Sequence, residues 1–176
     1  MKKIIAFSGS LRKDSFNTRL LHVIKDMNIV NMEIIDISLF PLFNSDLESD
    51  FPVLVTKVRE KIIACDGVIF ATPEYNRSIP GVLKNAIDWC SRPYGANAFA
   101  GKHALVFGSS VGPTGACAAQ LHLKQILSYL DMKIVGQPEL YISSVAQLFN
   151  EEGVLVYEST KEKLKGGVEE LLKRIG

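Results

Sequence analysis

The feature that most constrains the fold is a continuous apolar run, Gly67–Thr72, with the sequence GVIFAT. Six uncharged residues without polar alternation are typical of a strand whose two faces are both covered. Such strands occur at the centre of parallel sheets, where helices pack on each side. The run therefore predicts an α/β domain with a parallel sheet as its middle layer.

Strand and helix patterns alternate along the rest of the chain. Short apolar runs predict further strands at residues 3–8, 32–37, 104–108, and at 133–135 with 140–142, the last divided by Gly136 and Pro138. Apolar residues at helical spacing predict helices that begin near Phe16, Pro52, Pro80, Gly115 and Thr160. The pair Gly166 and Gly167 weakens the last helix, because each glycine costs about 1 kcal/mol of helix propensity. We expect one domain over residues 1–176.

The composition excludes several classes of protein. Hydrophobic residues make up 47% and charged residues 22%, which argues against disorder, and the net charge of +1 argues against a nucleic-acid-binding protein. Cys65, Cys90 and Cys117 are scattered and odd in number, so they predict neither a zinc site nor a disulfide framework. The simplest interpretation is that the three thiols are reduced, which predicts a protein of a reducing compartment, the cytoplasm. The first apolar run ends at Ser8, too early for a signal peptide, and we expect no membrane insertion.

The loop after the first predicted strand contains groups that bind a phosphate. Ser15 is a candidate N-cap, so the first amides of the following helix are free to donate to an anion. Ser10 supplies a hydroxyl, and Arg12 a guanidinium that can bind two phosphate oxygens. Because Gly9 is its only glycine, the loop matches neither a P-loop nor a G-x-G-x-x-G motif. It predicts a site for one terminal phosphate, with a capped helix and a solvated arginine as the alternative.

The loops after the third and fourth predicted strands reach the same edge of a parallel sheet, where ligands bind. Pro73 and Pro80 stiffen the first of these loops, Tyr75 could lie flat against an aromatic ligand, and backbone amides between the prolines could donate to it. Residues 109–115 are small and polar, so a ligand edge could approach their backbone. A surface tyrosine, a solvated Glu74 and a flexible connection are the alternatives.

Taken together, these segments resemble the NADPH-dependent FMN reductase family, which includes bacterial quinone, azo-dye and chromate reductases. The resemblance rests on residues 9–17 (GSLRKDSFN) and 73–89 (PEYNRSIPGVLKNAIDW), and it continues through 91–93 (SRP) and 123–127 (LKQIL). It implies a flavodoxin-like three-layer sandwich with a five-stranded parallel sheet in the order 2-1-3-4-5. It also implies a single FMN-binding domain and a homodimer or homotetramer, with Asp88 and Trp89 of the third helix near the contact.

The resemblance also implies roles for particular residues. The FMN phosphate would be held by Ser10, Arg12, Ser15, Phe16 and Asn17. The isoalloxazine ring would be lined by Pro73, Glu74, Tyr75 and Asn76, partly through backbone groups, and Ser109 and Gly112 would approach the ring or the ribityl edge. Cys90 departs from the family pattern, and we interpret it as a small core residue.

The sequence contains no arrangement typical of acid–base or metal catalysis, and we expect no catalytic side chain and no metal ligand. His22, His103 and His122 show no mutual spacing pattern. A cofactor can supply the chemistry instead, which fits an NAD(P)H-dependent FMN oxidoreductase: NADPH or NADH would give hydride to FMN, and flavin, quinone, azo or similar acceptors would take the electrons. A flavodoxin-like electron carrier is the alternative, although its usual acidic surface does not match a net charge of +1. A regulatory domain without flavin is a third hypothesis.

Overall fold

A parallel sheet forms the middle layer of the structure, a computed structural model that describes residues 1–176. Its strands lie in the order β2-β1-β3-β4-β5, and a sixth strand also pairs with β4. All pairs are parallel, so the predicted fold and strand order are confirmed. The strands are β1 Lys3–Ser8, β2 Asn31–Ile35, β3 Gly67–Thr72, β4 His103–Ser109, β5 Lys133–Ile134 and β6 Leu140–Ile142.

The fifth position of the sheet is divided, as predicted. β5 pairs with the beginning of β4, where His103 lies opposite Lys133. β6 pairs with the end of β4, where Ser109 lies opposite Ile142. Between them lies Pro138, which has no N–H to donate to a neighbouring strand. The chain therefore leaves the sheet and returns to it, and β6 ends beside the carboxyl end of β4.

Helices cover both faces of the sheet. Alternate residues of β3 point to opposite faces, so Phe70 packs in one core cluster and Ile69 in the other. The helices are α1 Phe16–Asp26, α2 Val53–Ile63, α3 Gly81–Cys90, α4 Cys117–Tyr129 and α5 Glu158–Ile175. α2, α3 and α4 pack on the Phe70 side, while α1 and α5 pack on the other. None of these helices combines the length and the apolar composition needed to span a bilayer.

Two element ends differ from the sequence prediction, each for a local reason. β2 was expected to reach Ile37 but ends at Ile35, because the Ser38 amide donates to the Asp36 carboxylate at 2.9 Å and turns the chain. Hydrogen bonding from the Ser38 hydroxyl, and then from its backbone amide, lowers the pKa of Asp36. α4 begins at Cys117 rather than near Gly115, because Gly115 and Ala116 have φ values of 56° and 59°, outside the helical region.

Two residues of α3 are fully buried. Trp89 packs edge-on against Phe43 and Phe51, and its indole nitrogen donates to the Pro41 carbonyl at 2.8 Å. The Trp89 side chain is therefore enclosed within its own subunit, and the expectation that the third helix lies near a contact with another copy stays a prediction. Cys90 is a core residue as interpreted, and burial raises the pKa of its thiol to about 12.

Gly166 and Gly167 both lie within α5, and we expect opposite effects when each is replaced by alanine. A Cβ at Gly166 meets nothing within 4 Å, so Gly166→Ala should stabilise the protein by about 0.5–1 kcal/mol through helix propensity. A Cβ at Gly167 would lie 2.7 Å from Cδ1 of the buried Leu140, so overpacking should cancel that gain or exceed it. Thermal unfolding of both variants tests this, and equal stabilisation by the two would contradict the packing argument.

Candidate functional site

Three loops meet at the carboxyl ends of β1, β3 and β4 and enclose a cavity of about 180 Å³. This is the edge at which open parallel sheets bind ligands. The cavity is lined by Ser10, Arg12, Ser15, Phe16, Asn17, Pro73, Glu74, Tyr75, Ser109, Ser110, Val111 and Val145. Every residue predicted for the site lies in this lining except Asn76 and Gly112. The structure thus brings together residues from distant parts of the chain, and their roles toward a ligand stay predictions.

The β1–α1 loop is pressed against the neighbouring loop. The Gly9 amide donates to the Ala71 carbonyl at 2.8 Å, and a Cβ at this position would lie 3.2 Å from Leu83 and Pro73. A side chain at position 9 would therefore require Leu83 and Pro73 to shift by a few tenths of an ångström, which explains the preference for glycine at this close approach. Ser15 is the N-cap of α1 as predicted, since its hydroxyl accepts from the Thr18 amide at 3.3 Å. The amides at the start of α1 have no partner within the helix and remain free to donate.

Arg12 is the one arginine whose side chain has no protein partner. It is exposed at the edge of the cavity, and no carboxylate lies within 4.0 Å of it. The other arginines are engaged: Arg19, Arg77, Arg92 and Arg174 with carboxylates, and Arg59 with two backbone carbonyls. An unpaired guanidinium beside a helix N-terminus forms an anion-binding arrangement.

Asn17 and Ser109 join α1 to the end of β4. The Asn17 side chain accepts from the Ser109 amide at 3.0 Å and donates to the Ser109 carbonyl at 3.4 Å. Both ends of that amide are therefore occupied by the protein, which leaves the Asn17 backbone amide for a ligand. The Ser109 hydroxyl is buried and has no hydrogen-bond partner. An unpaired buried hydroxyl costs about 1–3 kcal/mol, so Ser109 fits a cavity built to receive a polar ligand atom.

The β3–α3 loop begins with a tight hairpin. Tyr75 and Ser78 exchange backbone hydrogen bonds of 2.9 and 3.0 Å. Asn76 and Arg77 between them have φ values of 51° and 63°, as in a two-residue hairpin turn. The Tyr75 amide is thus used within the hairpin and is not available to a ligand, although its half-exposed ring lines the cavity. Asn76 lies in the turn, outside the lining.

Three lining residues were given no individual role from the sequence: Ser110 and Val111, which lie within the predicted ligand-side loop 109–115, and Val145, which lies outside every predicted loop. Ser110 and Val111 continue the β4–α4 loop, where Gly112 is half-buried and outside the lining. Val145 comes from the loop after β6, and its amide donates to the Ser110 carbonyl at 3.0 Å. The sequence did contain a signal for Val145, because a strand beside β4 must place its following loop at the same edge.

The cavity contains few groups that titrate. Its ionisable side chains are Arg12, Glu74 and Tyr75, and the histidines lie outside it. His103, at the start of β4, has a lowered pKa because burial and then the nearby Lys133 and Arg174 disfavour its charged form. No group of three or more His, Cys, Asp or Glu side chains is placed to hold a metal ion. The arrangement can bind and orient an anionic ligand, and any redox chemistry would have to come from that ligand.

Comparison with known proteins identifies similar chains. A sequence model described as NADPH-dependent FMN reductase matches residues 2–147. The chain is 41% identical over 165 residues to a 2-hydroxy-1,4-benzoquinone reductase from Burkholderia sp, covering 93% of this chain and 90% of that protein. It is 43% identical over 172 residues to an NADPH:quinone oxidoreductase from Arabidopsis thaliana, covering 93% of this chain and 86% of that protein. The structure superposes with a TM-score of 0.92 on FerB, a flavoenzyme NAD(P)H:(acceptor) oxidoreductase from Paracoccus denitrificans. The two chains are 38% identical, and the superposition covers 99% of this chain and 97% of FerB.

Proposed function

Since this chain belongs to the NADPH-dependent FMN reductase family, we propose that it is an NAD(P)H-dependent FMN oxidoreductase that reduces quinones, flavins and similar small acceptors. The observation that most supports this function is the presence, in one cavity, of an unpaired guanidinium and an unpaired buried hydroxyl. When bound, FMN supplies the redox chemistry, taking hydride from NAD(P)H and passing electrons to the acceptor. The alternative of an electron carrier does not explain membership of a reductase family.

The residues of the cavity divide into two groups by the part of FMN that they would hold. Arg12, the Ser10 and Ser15 hydroxyls and the amides of Phe16 and Asn17 would hold the phosphate, because they surround a helix N-terminus. Ring and ribityl contacts would come from Pro73, Tyr75, Asn76, Ser109 and Gly112 and from the backbone of Glu74, whose carboxylate is engaged by the Ala119 amide and Arg77. Asn76 and Gly112 lie outside the cavity lining, so their contribution requires a ligand that extends beyond the lining.

In this proposal the chain binds and orients the reactants rather than transferring protons through a side chain. Arg12 would neutralise phosphate charge, and Ser109 would donate its unpaired hydroxyl to a polar atom of the ligand. Tyr75 is 48% exposed beside the cavity, so it can contact whichever flat substrate enters from solvent. The contribution of the chain would thus be to orient NAD(P)H and then the acceptor, one after the other, at the same position beside FMN.

An absorbance experiment tests the proposed function. The protein is mixed with FMN, desalted, and then given NADPH or NADH in the absence of oxygen. We expect a flavin spectrum that survives desalting and bleaches rapidly with a nicotinamide, and reoxidation when a quinone is added. Retained flavin that neither nucleotide bleaches would favour the electron carrier. No retained flavin together with no turnover of free FMN would contradict the proposal.

We further propose that the protein is a homodimer or homotetramer. A groove of about 710 Å³ runs between α3 and α4, and at its edge Tyr94 and Tyr129 are 88% and 83% exposed. Aromatic side chains are enriched in protein interfaces, so these exposed tyrosines support a second copy on this face. Light scattering should give a multiple of 19.4 kDa, whereas a monomer at micromolar concentration would contradict the proposal.

We also propose a cytoplasmic location. All three cysteines are free in the structure, and Cys65 and Cys90 are buried without a sulfur partner. This pattern suits a reducing compartment, where thiols are not oxidised to disulfides. Fractionation of cells that express the tagged protein tests the location.

A further inference from the structure

Helix α4 begins without a capping side chain from its own segment. Its N-cap residue, Ala116, has a left-handed backbone and no side-chain oxygen, and its first turn contains no acidic residue. The first amides of a helix have no partner within the helix, and leaving one unpaired at the buried Ala119 would be costly. The Ala119 amide instead donates to Oε2 of Glu74 at 3.1 Å, across 45 residues of sequence.

The Glu74 carboxylate is fixed by the protein on both sides. Its side chain is only 10% exposed, and its second oxygen, Oε1, accepts from the Arg77 guanidinium at 3.3 Å. A negative charge at a helix N-terminus is favoured by the helix dipole as well as by the hydrogen bond. Glu74 therefore caps α4 from the β3–α3 hairpin, rather than pointing its charge freely into solvent or ligand.

A second contact attaches the other end of the hairpin to the same helix. The Ser78 hydroxyl lies 2.8 Å from Nδ1 of His122, which is three residues after Ala119 and so one turn further along α4. The hairpin from Glu74 to Ser78 is thus joined to α4 at both ends. This hairpin forms one wall of the cavity, and the loop leading into α4 forms another.

We propose that Glu74 and His122 are positioning residues, which hold the hairpin against α4 and so set the separation between two walls of the FMN site. The inference rests on the proposed function for its effect on catalysis, but the two contacts belong to the protein without ligand. Neither residue needs to take part in electron transfer. Loss of the Glu74 contact should let the hairpin move away from α4 and should weaken binding of FMN and of the nicotinamide substrate.

Hydrogen exchange on the protein without FMN tests the contacts directly. In Glu74→Ala, the amides of residues 74–78 and of the first turn of α4 should exchange about tenfold faster, because the Ala119 amide loses its acceptor. Glu74→Gln should restore most of the protection, since its amide oxygen can still accept. The control is Glu139→Gln, which removes a carboxylate that pairs with Lys124 of α4 away from the cavity. If these amides exchange in Glu74→Ala at the same rate as in the wild type, the inference is overturned.

The contact between Ser78 and His122 has its own test. Ser78→Ala and His122→Ala should each increase exchange of the Ser78 end of the hairpin, and the double variant should add nothing to either single variant. Additive effects of the two substitutions would show that the residues act separately and would overturn this part of the inference.

Binding and kinetics distinguish positioning from direct contact. Glu74→Ala should raise the FMN Kd and the KM for the nicotinamide about tenfold, with kcat at saturation within about twofold of wild type, because the reacting groups are unchanged. Glu74→Gln should stay close to wild type. If Glu74→Gln weakens FMN as much as Glu74→Ala while its hydrogen exchange is normal, the charge acts on the ligand and positioning is wrong. Failure of the wild type itself to retain FMN would instead contradict the proposed function, and the exchange experiments would still decide the contacts.

Discussion

Arg12→Ala is expected to weaken FMN binding by about 100-fold while leaving the fold intact. Arg12 is the one arginine without a protein partner, so its removal breaks no contact in the folded protein. A charge-assisted hydrogen bond to a phosphate contributes about 1.5–3 kcal/mol, and because Arg12 is exposed we take the lower end, about 3 kcal/mol for two such bonds. About 2.7 kcal/mol corresponds to 100-fold in affinity. Flavin fluorescence on titration with the protein would measure the change.

The matched control for Arg12→Ala is Lys13→Ala. Lys13 is the next residue in the same loop, is also exposed, and lies outside the cavity lining. Both variants lose one positive charge, so a general electrostatic effect would weaken FMN equally in each. We expect Lys13→Ala to change the Kd less than about threefold, since exposed charges are screened by salt. Equal flavin occupancy in Arg12→Ala and wild type after desalting would disprove the phosphate role of Arg12.

Gly115→Ala is expected to destabilise the protein by about 3 kcal/mol, from a backbone penalty of about 1 kcal/mol and steric overlap of about 2 kcal/mol. Gly115 has a φ of 56°, which disfavours any residue with a side chain. Its added Cβ would lie 2.6 Å from the backbone carbon of Tyr141 and 2.7 Å from the nitrogen of Ile142. Backbone in β6 cannot move aside as a side-chain end can. The melting temperature should fall by roughly 6–12 °C.

Gly136→Ala is the matched control for Gly115→Ala. Gly136 lies between β5 and β6, a Cβ there meets nothing within 4 Å, and its φ is not positive. Its replacement should change stability by less than about 0.5 kcal/mol, as surface substitutions usually do. A Gly115→Ala variant as stable as Gly136→Ala would mean that β6 can shift away from the β4–α4 loop, contrary to the packing seen here.

Most of the fold could be predicted from local patterns, because each strand and helix displays its own periodicity. The apolar run Gly67–Thr72 identified the central strand, and Gly136 with Pro138 marked the division between β5 and β6. Ser15 was predicted as a cap because N-caps depend on residues two or three positions away. The position of the candidate site followed from topology, since loops after neighbouring parallel strands must meet at one edge.

The tertiary structure alone decided what several of these residues contact. The sequence placed Glu74 in a binding loop, but only the packing of that loop on α4 makes it the cap of a helix 45 residues away. Asn17 lies in a predicted phosphate loop, yet its side chain binds Ser109, 92 residues later. Trp89 was expected near a contact between copies, and in the folded chain its side chain is buried against two phenylalanines. Local patterns determine which face of a helix or strand is apolar, so the sequence alone specified these elements and the edge of the sheet where the candidate site lies. Contacts between distant segments depend on how the loops and helices pack, so only the folded chain specified which residues bind one another.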